Sequence, residues 1–294
     1  MFEKLKANVV FNKLLGRPNI DKAYKMVPPT DSWYDTITTV HNSLAKIHEL
    51  PHEVVQITSH DNLTMKGIYY PAENPSNVTV IWVHGYTSHA ERESAFPGLF
   101  YHNLGYNFLV PYLRAHALSQ GKYISFGALE QRDISAWVNK VNQLVPNGKI
   151  VLHGLSMGGG TVLMASNKTM QNVKCIIADA PSVGVEGLFQ YVARESFKKD
   201  ADKIVELLFK RYKKEFAVEA SDCNIFKYVG DCKFPLLLSA GSNERLEELF
   251  DSIQKVCLAT TDTIILPGCN HGNGMYKQTQ LYQGKIVEFL NNNL

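Results

Sequence analysis

The sequence predicts an α/β fold: a mostly parallel, eight-stranded sheet with helices on both faces and a helical insert. Three observations lead to it. Six short, almost continuously apolar runs alternate with helical patterns from residue 78 onward, a hairpin pattern precedes them, and a glycine-flanked serine stands where one run meets a helix. Strands covered on both faces are apolar at successive positions, and parallel strands need crossover connections long enough for a helix.

The elements follow in order. "MFEKLKANVVFNKLLGRPN" sets Phe2, Leu5, Val9, Val10, Leu14 and Leu15 among Glu3, Lys4, Lys6 and Lys13. It reads as an amphipathic helix packed on its own domain, too short and too charged to span a membrane. "DSWYDTITTVHNSLAKIHELPH" either packs on the sheet edge or shields a pocket, so residues 1–52 form an N-terminal helical extension. "EVVQITSH" and "LTMKGIYYPA" flank His60-Asp61-Asn62, the signature of a hairpin. The apolar runs are Val78–Gly85, Tyr106–Arg114, Lys149–Ser156, Lys174–Ala180, Phe234–Gly241 and Asp262–Cys269. Between the second and third, Leu129, Ile134, Trp137, Val138, Val141, Leu144 and Val145 recur at helical spacing. Residues 53–181 and 235–294 make the core. The connection 182–234 is longer than a plain crossover needs. Its helical, charged sequence reads as a cap over the strand C-terminal ends, with Phe189, Tyr191 and Phe197 as candidate walls.

Composition narrows the function classes. A net charge of +2 leaves no electrostatic footprint for nucleic acid. Five cysteines with no C-x-x-C spacing read as thiols in a reducing, cytoplasmic compartment, not as a disulfide frame or zinc site.

Gly154-Leu155-Ser156-Met157-Gly158 is G-x-S-x-G, placed after an apolar strand and opening a helix expected to run to about Met170. That is the setting of a nucleophile elbow, whose crowded turn excludes Cβ atoms at the flanking glycines. An acyl-transfer site also needs two donors for the developing oxyanion. The amide of Met157 is one, and the amide of Tyr86, after the strand ending His84-Gly85, is the other. Of ten histidines only His271 follows all the strands, as the base does in the chain order serine, acid, histidine. The acid belongs after the run ending at Gly241, where Glu244 is the first carboxylate; Asp179 is the alternative. Glu247, Glu248 and Asp251 fall on the exposed face of a helix.

With these residues in place, the chain resembles α/β-hydrolases, in particular bacterial cell-surface or cinnamoyl-esterase-like serine hydrolases. The likeness runs from about Val54 to Leu290. It is carried by "VIWVHGYTS", "GYNFLVPYLRAHALSQGKYISFGALEQRDISAWV", "IVLHGLSMGGGTVLMAS" and "CNHGNGMY". The resemblance implies Ser156 as nucleophile, His271 as base, an oxyanion hole of the Tyr86 and Met157 amides, and neither metal nor organic cofactor. The chain departs from the family pattern at Tyr112 and Ala117, and in the acid loop Ser242-Asn243-Glu244-Arg245. The leading expectation is hydrolysis of a small-molecule carboxylic ester of small or medium acyl size. The alternatives are a small-peptide serine peptidase, with Arg194, Glu195 or Arg211 reading a charged terminus, and a non-catalytic binding protein on the same fold.

Overall fold

The structure is a computed structural model that describes residues 2–294. Two helices come first, α1 (Phe2–Leu15) and α2 (Tyr34–His48). The hairpin of β1 (Glu53–Thr58) and β2 (Thr64–Tyr70) follows, with Asn62 in its turn at φ 64°. Then come β3 (Val78–Val83), α3 (Ala90–Asn103), β4 (Asn107–Pro111), α4 (Glu130–Leu144), β5 (Lys149–Leu155), α5 (Met157–Ala165) and β6 (Val173–Asp179). After β6 the chain forms α6 (Val185–Phe197) and α7 (Ala201–Phe216), and returns through short turns to β7 (Leu236–Gly241). It ends with α8 (Glu247–Val256), β8 (Thr261–Leu266), α9 (Gly274–Lys277) and α10 (Thr279–Asn293). Helix α5 stops short of the expected Met170, with Ser166 as its C-cap.

The eight strands form one sheet in the order β1-β2-β4-β3-β5-β6-β7-β8. Only β2 runs against its neighbours; the other pairs are parallel. Side chains alternate across the sheet, so each central strand feeds two cores. Ile81 and Val83 of β3 join one with Phe11, Ile134, Val162, Phe189 and Phe250, from α1, α4, α5, α6 and α8. Val80 and Trp82 join the other with Ile47, Tyr101 and Ile286, from α2, α3 and α10. Double burial explains why β3 is apolar at nearly every position, whereas the edge strand β1 is largely exposed.

Helix α1 buries Ala7, Val10, Phe11 and Leu15 against the domain and leaves Phe2, Leu5 and Val9 in solvent. Phe11 packs among Tyr123, Phe189 and Phe216, which ties α1 to α6 and α7. No helix among the described residues is long and apolar enough to cross a membrane.

Candidate active site

The central observation is the turn from β5 into α5. Ser156 sits there at φ 57°, ψ −115°, a region that a residue with a side chain enters only at a cost. The turn is held from both sides. The Ser156 amide donates to the Asp179 carbonyl at 2.8 Å, and its carbonyl accepts from Gly160 at 2.9 Å and Ser182 at 3.0 Å. The flanking glycines are demanded by contact. A Cβ on Gly154 would lie 2.3 Å from the Gly158 carbonyl oxygen, and one on Gly158 would lie 1.9 Å from that of Val83. The strand that delivers the serine and the helix that leaves it are therefore closer than any side chain permits.

His271 lies in the loop between β8 and α9. Its Nε2 is 2.8 Å from Ser156 Oγ, and its Nδ1 is 2.5 Å from Glu244 Oε2. A carboxylate accepts, so Nδ1 carries the proton and Nε2 is left free to accept from the serine hydroxyl. Glu244 reaches the ring from the single turn Ser242–Glu244 directly after β7, and its other oxygen accepts the Gly241 amide at 2.9 Å. The two loops are stitched together: Gly268 N–H donates to Ser242 Oγ, Asn243 Nδ2 to Asn270 Oδ1, and Asn243 N–H to the Cys269 carbonyl. The hydrogen bond and charge of Glu244 raise the pKa of His271 above its ordinary value, against the opposing pull of desolvation. Asp179, the alternative acid, is buried beneath the turn; desolvation pushes its carboxyl up to about 7. The hydrogen bond to His271 is made by Glu244.

The loop after β3 aims the second amide. Leu113 N–H donates to His84 Nε2 at 3.1 Å, so His84 carries its proton on Nδ1 and gives it to the Gly85 carbonyl at 2.9 Å. Burial holds His84 neutral, its pKa well below the usual value. The Ser88 amide also approaches the Gly85 carbonyl, at 3.4 Å. A trans peptide is planar, so fixing the Gly85 C=O on one side turns the Tyr86 N–H to the other. The Gly85 amide is held by Glu93 at 3.1 Å, and Glu93 also accepts the Trp82 indole N–H at 3.0 Å. Desolvation pushes the Glu93 carboxyl up to about 7. Met157 opens α5, where first-turn amides have no acceptor within the helix. The structure thus brings Ser156, His271 and Glu244 into one relay, beside the two loops that present Tyr86 and Met157.

A cavity of about 420 Å³ opens at Ser156 and His271, with Tyr86, Leu155 and Glu93 in its wall. Tyr24, Trp33 and Ile37 also line it and come from the N-terminal segment, not from residues 182–234; Trp33 and Ile37 lie in the stretch for which pocket shielding was one of two expectations, whereas Tyr24 was not anticipated. The expected walls are elsewhere. Phe189 is fully buried against Phe11 and Tyr212, drawn there by α1, and Tyr191 is 66% exposed. Phe197 lies by Lys6 at the far end of α1.

Arg114 and His116 hold loops. The Arg114 guanidinium binds the fully buried Asp133 at 2.9 Å and Asp61 at 3.0 Å. It thereby supplies the positive charge that the His60, Asp61 and Asp133 cluster calls for. His116 Nδ1–H donates to the Arg114 carbonyl, 2.9 Å away, and its ring meets that of His84 edge-on.

Comparison with known proteins agrees with this architecture. A family model for the alpha/beta hydrolase fold matches residues 78–214. A Bacillus subtilis protein named as uncharacterized, YqkD, is 24% identical over 267 residues, covering 86% of this chain and 83% of its own. Among solved structures, an esterase of Pyrococcus furiosus superposes with a TM-score of 0.66 at 22% identity, covering 95% of this chain and 98% of its own. Est1E of Butyrivibrio proteoclasticus, solved with ferulic acid bound, gives 0.62 at 18% identity, covering 81% of this chain and 98% of its own. The sheet order, the strand–serine–helix turn and these matches agree: the chain has the α/β-hydrolase fold.

Proposed function

We propose that the protein is a serine hydrolase, carboxylesterase-like, that cleaves esters of small or medium acyl groups through an acyl-enzyme on Ser156. The observation that carries this is the continuous relay from Ser156 Oγ to His271 Nε2 and from His271 Nδ1 to Glu244. His271 takes the hydroxyl proton as Oγ attacks the ester carbonyl, and Glu244 stabilises the imidazolium that forms. The oxyanion gathers on the carbonyl oxygen between the Tyr86 and Met157 amides. Collapse expels the alcohol, which receives the proton from His271. Water then repeats the sequence on the acyl-enzyme, the acid leaves, and Ser156 is regenerated.

The strained backbone of Ser156 supports catalysis over mere ligand binding, since a binding pocket has no need of that turn. A peptidase would want a charged anchor in the cleft. Arg211, however, pairs with Glu215 and faces α1, and Arg194 lines a separate surface groove beside Phe209. We read residues 1–52 as an extension, 53–181 and 235–294 as the core, and 182–234 as an inserted helical unit. We assign the protein to the cytoplasm, where its five unpaired cysteines stay reduced.

Turnover of p-nitrophenyl acetate and butyrate tests the proposal. The wild type should hydrolyse them with a burst of nitrophenol, and Ser156→Ala and His271→Gln should each lose about 10⁴-fold or more in kcat. Equal rates in wild type and Ser156→Ala would overturn it.

A further inference from the structure

The segment between α1 and α2 crosses the mouth of the site as a strap, and bonds from distant parts of the chain set its path. Gly16 forms a bridge with Tyr123, and the Arg17 guanidinium donates to the carbonyls of Ala117, Ser119 and Gly121. The Tyr86 hydroxyl, from the loop that carries the oxyanion amide, donates to the Leu14 carbonyl. Further along, Arg92 Nη1 donates to the Ala23 carbonyl at 2.8 Å, and the His41 Nε2–H donates to that of Tyr24, also at 2.8 Å. These bonds hold Tyr24 at φ 55°, a left-handed conformation that a bulky residue adopts only when its surroundings impose it. The result is that Tyr24 faces the cavity containing Ser156 and His271. Trp33 enters the same cavity as the N-cap of α2, and Ile37, one turn later, extends its surface. None of these side chains takes part in the Ser156–His271–Glu244 relay, so the relay does not account for the strain.

We propose that the strap builds a substrate-binding subsite in which Tyr24, Trp33 and Ile37 hold an uncharged, apolar group of the substrate beside Ser156. The inference rests on the hydrolase reading and adds which residues select the substrate and what chemistry they select. Aromatic faces give a large apolar contact for little loss of side-chain freedom. Leu155 extends the apolar surface, and Tyr86 adds a third ring. The carboxyl beside them, Glu93, already receives the Gly85 amide and the Trp82 indole N–H, so it presents acceptor oxygens to the cavity and, when ionised, repels a substrate carboxylate. The subsite therefore selects neutral chains over carboxylate-bearing ones.

The test is a ratio, measured on the full chain. For ester turnover it is kcat/KM for p-nitrophenyl hexanoate over acetate; for Ser156 labelling it is the inactivation rate with a long-chain over a short-chain alkyl fluorophosphonate. Wild type should favour the longer chain in both. Tyr24→Ala and Trp33→Ala should each lower both ratios about tenfold, because the apolar contact that distinguishes the two chains is lost. Tyr191→Ala, on the exposed face of α6, is the control and should leave both ratios where they are. Ratios that stay at or above the wild-type value in both strap variants would overturn the subsite while leaving the hydrolase reading intact. If Ser156 is labelled but no ester turns over, ester hydrolysis fails and the labelling ratio alone decides. Absence of both turnover and labelling overturns the hydrolase reading and the subsite with it.

Discussion

Glu244 is where sequence and geometry meet most closely. It stands three residues past Gly241, and the single turn after β7 folds the chain back so that the long side chain spans to His271 while its other oxygen is tied to the Gly241 amide. Chain order pointed to this loop, but two carboxylates remained possible, because a sequence does not say which of them a turn will aim. Replacing Glu244 by Gln should cut kcat/KM by about 10⁴-fold, the scale expected when a histidine loses its orienting acid. The pH profile separates the two acids. In the proposed mechanism His271 is the base and must be neutral, so kcat/KM should rise as pH increases through its pKa, which Glu244 holds above the ordinary value. In Glu244→Gln that limb should move to lower pH, since the group that favours the imidazolium is gone. In Asp179→Asn the limb should stay near its wild-type position. A profile over pH 5 to 9 for the three proteins checks this, and a limb that moves only in Asp179→Asn would reassign the acid.

At the scale of elements, the loop from β3 to α3 depends on a neutral histidine. His84 accepts from Leu113 and donates to the Gly85 carbonyl, and this sets the direction of the Tyr86 amide. His84→Ala removes that hold and should lower kcat about 10- to 100-fold with a small change in KM, because the role proposed for the amide is at the oxyanion and not at the bound ester. A rise in KM at constant kcat would place His84 in substrate binding instead. The turn from β5 to α5 makes a sterner demand. Gly158→Ala drives a Cβ into the Val83 carbonyl, so the variant should lose several-fold in soluble yield or fall well below wild type in Tm, read by differential scanning calorimetry.

At the scale of the whole molecule, the central strands were legible because burial on both faces leaves a nearly continuous apolar signature, as in β3 and, apart from Lys149 and His153, β5. The juxtaposition of Ser156 and His271 was legible because topology fixes their order along the chain. The walls of the cavity were legible only as one of two alternatives, in the stretch that holds Trp33 and Ile37. The strap has no periodicity, and its path is set by Arg17, His41 and Arg92, whose partners are far away in sequence for Arg17 and Arg92. Phe189 and Tyr191 share a helix, and only the docking of α1 decides that the first is core and the second solvent-facing. A second long-range tie joins the β1–β2 turn to α4 through Arg114, Asp61 and Asp133. Asp133 is fully buried, so Arg114→Met strands its charge and should cost about 3–5 kcal/mol of unfolding free energy in urea titration. A variant within about 0.5 kcal/mol of wild type would mean that the tie contributes little.

The most direct measurement is the intact mass of the full chain after brief exposure to a fluorophosphonate, with Ser156→Ala treated in parallel and the adduct mapped by peptide sequencing. An activated serine should give a single adduct on the wild type, located at Ser156, and none on the mutant. An unmodified wild type, or an adduct that persists in Ser156→Ala, would contradict the assignment of Ser156 as the nucleophile.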